Sequence, residues 1–202
     1  MKSIFTALLI LTAMSTETFA NPGYQIGDVA TDFKLKNIDG RMVSLSDYPD
    51  AKGFVIVFTC NHCPYAKLYE ERLVALDKVA KAKGYPVIAI NPNDATKYPE
   101  DSYENMIKRA KEKGFTFPYL VDETQEIART YGALRTPHVF LLKKDSDNKL
   151  RVAYIGAIDD DTEGTRPDRV KYVENAIDAV ENGQKPDPEI TKAIGCTIKW
   201  KT

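Results

Sequence analysis

Cysteine is scarce in this chain, with three in 202 residues, too few to staple a fold as a disulfide framework. An excess of one charge is also missing. Lysine and arginine total 28 against 29 acidic residues, a net charge of −1, so no electrostatic footprint for nucleic acid or an anionic membrane surface is present. Glycine and proline, 11 each, sit at ordinary levels, which excludes collagenous and low-complexity chains. No apolar run reaches the roughly 20 residues needed to span a bilayer. What remains is 43% hydrophobic and long enough to bury a real core as one compact domain with appendages.

The N-terminus reads as an address. Lys2 precedes an apolar stretch from Ile4 to Ala13, and Thr18-Phe19-Ala20 precedes Asn21. Positive charge, short apolar core and terminal small residue form the pattern of a secretory signal over residues 1–20, cleaved after Ala20. A membrane anchor would need about twice that apolar length. No cysteine stands near the cleavage point, so a lipoprotein anchor is disfavoured. The expectation is an exported protein, periplasmic or extracellular, with no membrane span in its mature chain. Its cysteines then enter a compartment where disulfides persist.

Residues 21–182 read as one domain and 183–202 as an irregular, proline-spaced tail. The alternating segment from Gly27 turns at Asp39-Gly40 and returns through Met42-Val43-Ser44-Leu45, a small β-hairpin. Gly53 to Thr59 is a continuous apolar run, the mark of a strand buried on both faces. Ala66, Leu68, Tyr69, Leu73, Leu76 and Val79 follow near helical spacing until Gly84. Strands are expected at 86–90, 117–121, 139–142 and 150–155, and helices at 99–113, 123–131 and 166–181. Strands alternating with helices imply an α/β fold with a largely parallel sheet, closed by an antiparallel pair.

Chemistry concentrates at Cys60-Asn61-His62-Cys63, directly after the strongest strand and directly before a helix. The first turn of a helix presents unpaired N–H groups and the positive end of its dipole, and both favour thiolate, the reacting form of sulfur. Two intervening residues let one sulfur resolve a mixed disulfide formed on the other. Protonated His62 would lower the Cys60 pKa further, and Pro64 suits a first helical turn. A static disulfide is the plainer alternative. Half of a zinc site is another, although the chain offers only Cys196, His138 and carboxylates to complete it.

A second motif, Leu134-Arg135-Thr136-Pro137-His138, places a proline just before an apolar strand. With both motifs in place the chain resembles the thioredoxin-like superfamily over about residues 24–181. The resemblance implies a thioredoxin-like fold, a central mixed β-sheet flanked by helices, with an N-terminal hairpin and a C-terminal tail. It implies that Cys60 is the exposed attacking cysteine and Cys63 the buried resolving one, forming a Cys60–Cys63 dithiol/disulfide. Asn61 and His62 would support the pair, Pro137 would be the cis-proline, and the Thr136 backbone would pair with a substrate strand. The entry segment from Gly27 to Phe33 is similar to the redoxin branch (alkyl hydroperoxide reductase/thiol-specific antioxidant-like), which includes peroxiredoxins and ResA-like exported reductants.

The peroxiredoxin pattern P-x-x-x-[TS]-x-x-C is not met. Aligned on Cys60 its proline falls on Gly53 and its hydroxyl on Val57; aligned on Cys63 the hydroxyl falls on Cys60. A dedicated peroxidase is therefore disfavoured, although an accessible thiolate still reacts with peroxide. Three readings of Cys196 stay open: an inert buried thiol, a cysteine in a disordered tail, or a third thiol folded back onto the pair. His62 and His138 keep open a Cys/Cys/His copper-carrier reading, with a spacing one residue short of the C-x-x-x-C-P of copper-delivery relatives. Asp159-Asp160-Asp161 reads as a solvated acidic loop rather than a calcium site. Taken together, these features point to an exported thiol–disulfide oxidoreductase leaning toward reduction. It needs no cofactor or metal, and acts on a protein or small-molecule disulfide with a separate redox partner.

Overall fold

The structure, a computed structural model, describes residues 23–202; the signal-peptide expectation falls outside the described residues. The hairpin forms as read, from β1 (Lys34–Asn37) and β2 (Met42–Ser44). Gly40 takes φ +83° at its turn, a conformation open to glycine at no steric cost. β3 (Gly53–Phe58), β4 (Val87–Asn91), β5 (Tyr119–Val121), β7 (His138–Lys144) and β8 (Leu150–Gly156) complete a seven-stranded sheet of order β2-β1-β5-β4-β3-β7-β8. The short β6 (Arg135–Thr136) and β9 (Cys196–Thr197) pair separately. Helices α1 (Pro64–Ala82), α2 (Tyr103–Lys113), α3 (Glu126–Tyr131) and α4 (Tyr172–Glu181) lie between or after them.

Among the strands of this sheet in the described residues, β3–β4 and β4–β5 pair parallel. β7 enters beside β3 antiparallel, and β1–β2, β1–β5 and β7–β8 are antiparallel as well. The sheet is mixed rather than largely parallel, because the hydrophobic period of a strand carries no information about its direction. Side-chain alternation then sorts the core into two layers. Val55, Val57, Ala89, Val139 and Leu141 face α1, α2 and α4; Phe54, Ile56, Phe58, Ile88, Phe140 and Leu142 face α3 and the N-terminal segment.

Three helices are shorter than the sequence predicts, α3 beginning at Glu126 rather than at residue 123. Pro99–Asp101 is a 3-10 turn, and α2 begins after Ser102, whose hydroxyl accepts the Asn105 N–H at 3.3 Å. Residues before Tyr172 do not join α4, because charged side chains hold them as a loop. Arg72 donates to Asp159 at 2.7–2.8 Å and to the carbonyls of Asp161 and Thr162, while Arg166 reaches Asp160 at 2.6 Å. Asp159 and Asp161 are buried. Asp159 and Asp161 are thus an internal lock on α1, and Asp160 alone of the three stays exposed as a solvated loop would have it.

The 183–202 segment packs along the domain. Thr191 shares hydrogen bonds with Tyr154 and the Ala157 N–H, Ile198 is buried in the core, and Arg129 stacks over Trp200 at 4.3 Å. Ile190 bridges to Ile155 of β8, and β9 joins Arg135 to Thr197 and Thr136 to Cys196.

Candidate active site

β3 ends one residue before Thr59, and the chain turns through residues 60–63 into α1, with Cys63 as N-cap and Pro64 in the first turn. The Thr136–Pro137 bond is cis. It brings Thr136 over the turn: the hydroxyl lies 3.1 Å from Cys60 Sγ and the carbonyl oxygen 3.3 Å from Cys63 Sγ. Cys60, Cys63 and Ala66 form a small buried cluster, and Cys196 packs against it.

Two expectations about these sulfurs are corrected. Cys63 is disulfide-bonded to Cys196, with Cα atoms 6.0 Å apart, and Cys60 is a free thiol, so the bond present is not Cys60–Cys63. Nor is Cys60 exposed: 3% of its surface reaches solvent, and Cys63 has none. Burial pushes the Cys60 thiol up to about 11, and the nearby Asp101 charge adds to the rise. The Thr136 hydroxyl and the Cys63 and His62 amides pull the other way, so the helix end acts as expected but is outweighed by desolvation. Alkylation of the free thiol in the folded disulfide form should accordingly keep accelerating about tenfold per pH unit beyond pH 9, where an ordinary cysteine has levelled off. A plateau near pH 8.5 would show that Cys60 is not held in this environment.

The carboxylate behind the turn was not singled out by the sequence. Asp101 has 1% exposure. Its Oδ1 accepts the amides of Asn61 at 2.6 Å and His62 at 3.2 Å. Its Oδ2 meets His62 Nδ1 at 2.6 Å and accepts the Asn93 side-chain amide at 2.8 Å. His62 therefore engages Asp101, and its ring stacks on Tyr98 at 5.1 Å. Asn61 is fixed by the Glu100 carbonyl at 2.9 Å and by the hydroxyl of buried Tyr119 at 3.0 Å. The only sequence signal was Pro99-Glu100-Asp101, which reads as the acidic first turn of a helix.

Cys60, His62 and Asp101 place one donor atom each within 4.8 Å of one another. Both Asp101 oxygens are already taken by two partners apiece, so a metal would have to break the contacts that shape the turn. Of the two histidines in the Cys/Cys/His copper reading, His138 is outside this group: it opens β7, its Nδ1 accepting the Leu134 N–H at 3.3 Å. Burial lowers His138 to about 4, with Arg135 contributing. A base depressed in the folded state takes up its proton on unfolding, so this histidine's contribution is intact above pH 6.5 and is lost as pH falls toward 4. The loss should amount to about 2–3 kcal/mol. Urea titrations across that window should show it, and His138→Gln should flatten that part of the profile.

The comparisons with known proteins bear on this geometry. The AhpC/TSA family description matches residues 26–155, which includes the cysteine turn, Asp101 and the cis-proline loop. The chain belongs to the AhpC/TSA family. Among curated relatives of this AhpC/TSA member, the thiol-disulfide oxidoreductase ResA of Geobacillus thermodenitrificans is 26% identical over 147 residues, covering 70% of this chain and 80% of its own. An uncharacterized conserved protein from Geobacillus kaustophilus is 42% identical, with TM-score 0.78, over 88% of this chain and 93% of its own. A hypothetical protein from Sinorhizobium meliloti 1021 is 33% identical, with TM-score 0.81, over 89% and 97%. The fold is thioredoxin-like, α/β with a mixed central sheet. Cys196 lies beyond the residues the AhpC/TSA description matches, and the Thr136 backbone that the resemblance assigned to a substrate strand is paired with the chain's own β9.

Proposed function

We propose that this protein is an exported thiol–disulfide oxidoreductase that uses Cys60 and Cys63 as its exchanging pair and runs toward reduction of its substrate. The observation that carries the reading is the convergence of all three sulfurs on the cis-proline loop, with Cys63 at the start of α1 already in a disulfide and Cys60 free beside it. The name of the ResA relatives supports the same chemistry. In the proposed reaction, Cys60 thiolate attacks a substrate disulfide and one substrate thiol leaves. Cys63 thiolate then attacks Cys60 Sγ, releasing the second substrate thiol. Thr136 positions both sulfurs through its hydroxyl and carbonyl. Deprotonation of buried Cys60 requires the turn to open or the substrate to bring its own polar groups to it.

The partners are a protein or small-molecule disulfide and a separate thiol donor. Among the described residues no helix is long and apolar enough to cross a membrane. Export predicts a secreted chain whose mass begins at Asn21; a retained Met1 would remove that part of the reading. Reduction of insulin disulfides with dithiothreitol as donor tests the activity itself. Cys60→Ser should lower the rate to the background of the donor alone, and a variant as fast as the wild type would end the proposal. Direction is set by reduction potential, where 30 mV corresponds to about 1.4 kcal/mol. Equilibration with glutathione would place the pair on that scale.

A further inference from the structure

We propose that Cys196 is a third redox-active sulfur, the one through which the buried pair exchanges electrons with an external dithiol. The inference rests on the thiol–disulfide reading above and assigns the route by which that site is recharged. Cys60 and Cys63 are sealed from solvent, whereas Cys196 is partly exposed, so an incoming thiolate meets Cys196 first. Cys63 is the shared sulfur: it caps α1 beside Cys60 and is bonded to Cys196.

The tail is built to hold Cys196 there. β9 lies antiparallel to β6 with Cys196 opposite Thr136, the residue whose side chain and carbonyl touch the other two sulfurs. Gly195 fits against that carbonyl so closely that a Cβ would stand 2.2 Å from the Thr136 oxygen, and Arg135 donates to the Gly195 carbonyl at 3.0 Å. Beyond the cysteine, buried Gln125 donates to the Lys199 carbonyl at 2.8 Å and accepts the Lys201 N–H at 2.7 Å. A tail anchored on both sides of its cysteine delivers that sulfur to one place.

The steps balance without another reactant. After substrate reduction has left a Cys60–Cys63 disulfide, Cys196 thiolate attacks Cys63 Sγ; the Cys60–Cys63 bond breaks and Cys60 takes up a proton, giving the connectivity seen here. A thiolate of the external dithiol then attacks Cys196 Sγ, and Cys63 leaves at the α1 N-terminus, where its negative charge is favoured. The donor's second thiol closes its own disulfide and frees Cys196. Two donor thiols are oxidised, one substrate disulfide is reduced, and all three cysteines return as thiols.

Disulfide mapping tests the route. Reduced chain spanning residues 21–202 is mixed with one equivalent of hydroxyethyl disulfide, quenched with acid, alkylated and digested at successive times. The expected order is Cys60–Cys63 first and Cys63–Cys196 second, with the latter dominant at the end. In Cys196→Ser the oxidised product should remain Cys60–Cys63, and steady-state turnover with dithiothreitol should fall about tenfold. Gly195→Ala keeps all three thiols but pushes β9 from Thr136, and should shift the final mixture toward Cys60–Cys63 by at least about threefold. It also answers the question if Cys196→Ser does not fold. Wild-type protein that finishes as Cys60–Cys63 with Cys196 alkylated, or Cys196→Ser with undiminished turnover, overturns the proposal while leaving the pair chemistry standing. Failure to form either disulfide with Cys60 engaged would instead overturn the reading beneath it.

Discussion

Cys63→Ser is expected to reduce steady-state disulfide reduction by about a thousandfold, because it converts an intramolecular resolution step into one that waits for external thiol. Cys63 is fully buried at the N-cap of α1, in one cluster with Cys60 and bonded to Cys196, so this one sulfur serves both neighbours. With serine in its place, Cys60 should accumulate as a mixed disulfide with the substrate, visible as a reductant-sensitive adduct on a non-reducing gel or by mass. The adduct and the rate loss belong together. Turnover within about tenfold of wild type would mean that another thiol resolves the intermediate as effectively, and Cys63 would then be structural.

The second large effect is on the fold. Asp101→Ala should destabilise the protein by about 3–5 kcal/mol, the range found when one partner of a buried charged network is removed. The amides of Asn61 and His62 and the side chain of Asn93 lose their shared acceptor at once, in a place water does not reach. Urea denaturation gives the number. Asp101→Asn separates charge from shape. It retains an acceptor oxygen but removes the negative charge that raises the Cys60 pKa, so the thiol should titrate lower and alkylate faster near pH 8. A stable alanine variant, or an asparagine variant with slower alkylation, would contradict the network described here.

The elements that locate the site were legible in the sequence because their signals are local. The apolar run from Gly53 to Phe58 could only be an interior strand, and Cys60 to Pro64 could only be its exit into a helix. Pro137 before an apolar strand marked the facing loop. Long-range pairings were not legible. Nothing in the spacing of Val139 to Leu142 shows that β7 runs against β3. Nothing in Gly195-Cys196 shows that the tail returns to Thr136, since the glycine's purpose appears only once the Thr136 carbonyl lies beneath it. Asp101 escaped notice for a related reason. An acid near the start of a helix has an ordinary role there, and its burial behind the cysteine turn depends on where α2 packs. Burial also explains the reversal at Cys60: the helix end and His62 can be read from the chain, whereas the depth of the sulfur cannot.

One consequence follows from the span of the Cys63–Cys196 link, which joins residues 133 positions apart. Closing a loop of that size restricts the unfolded chain by about 4–5 kcal/mol in the chain-entropy account. Folding and sulfur oxidation are then two sides of one thermodynamic square, and whatever oxidation adds to conformational stability the native fold returns as resistance of that bond to reduction. Loosening the last ten residues at Gln125 or Trp200 should therefore make the protein easier both to melt when oxidised and to reduce when folded.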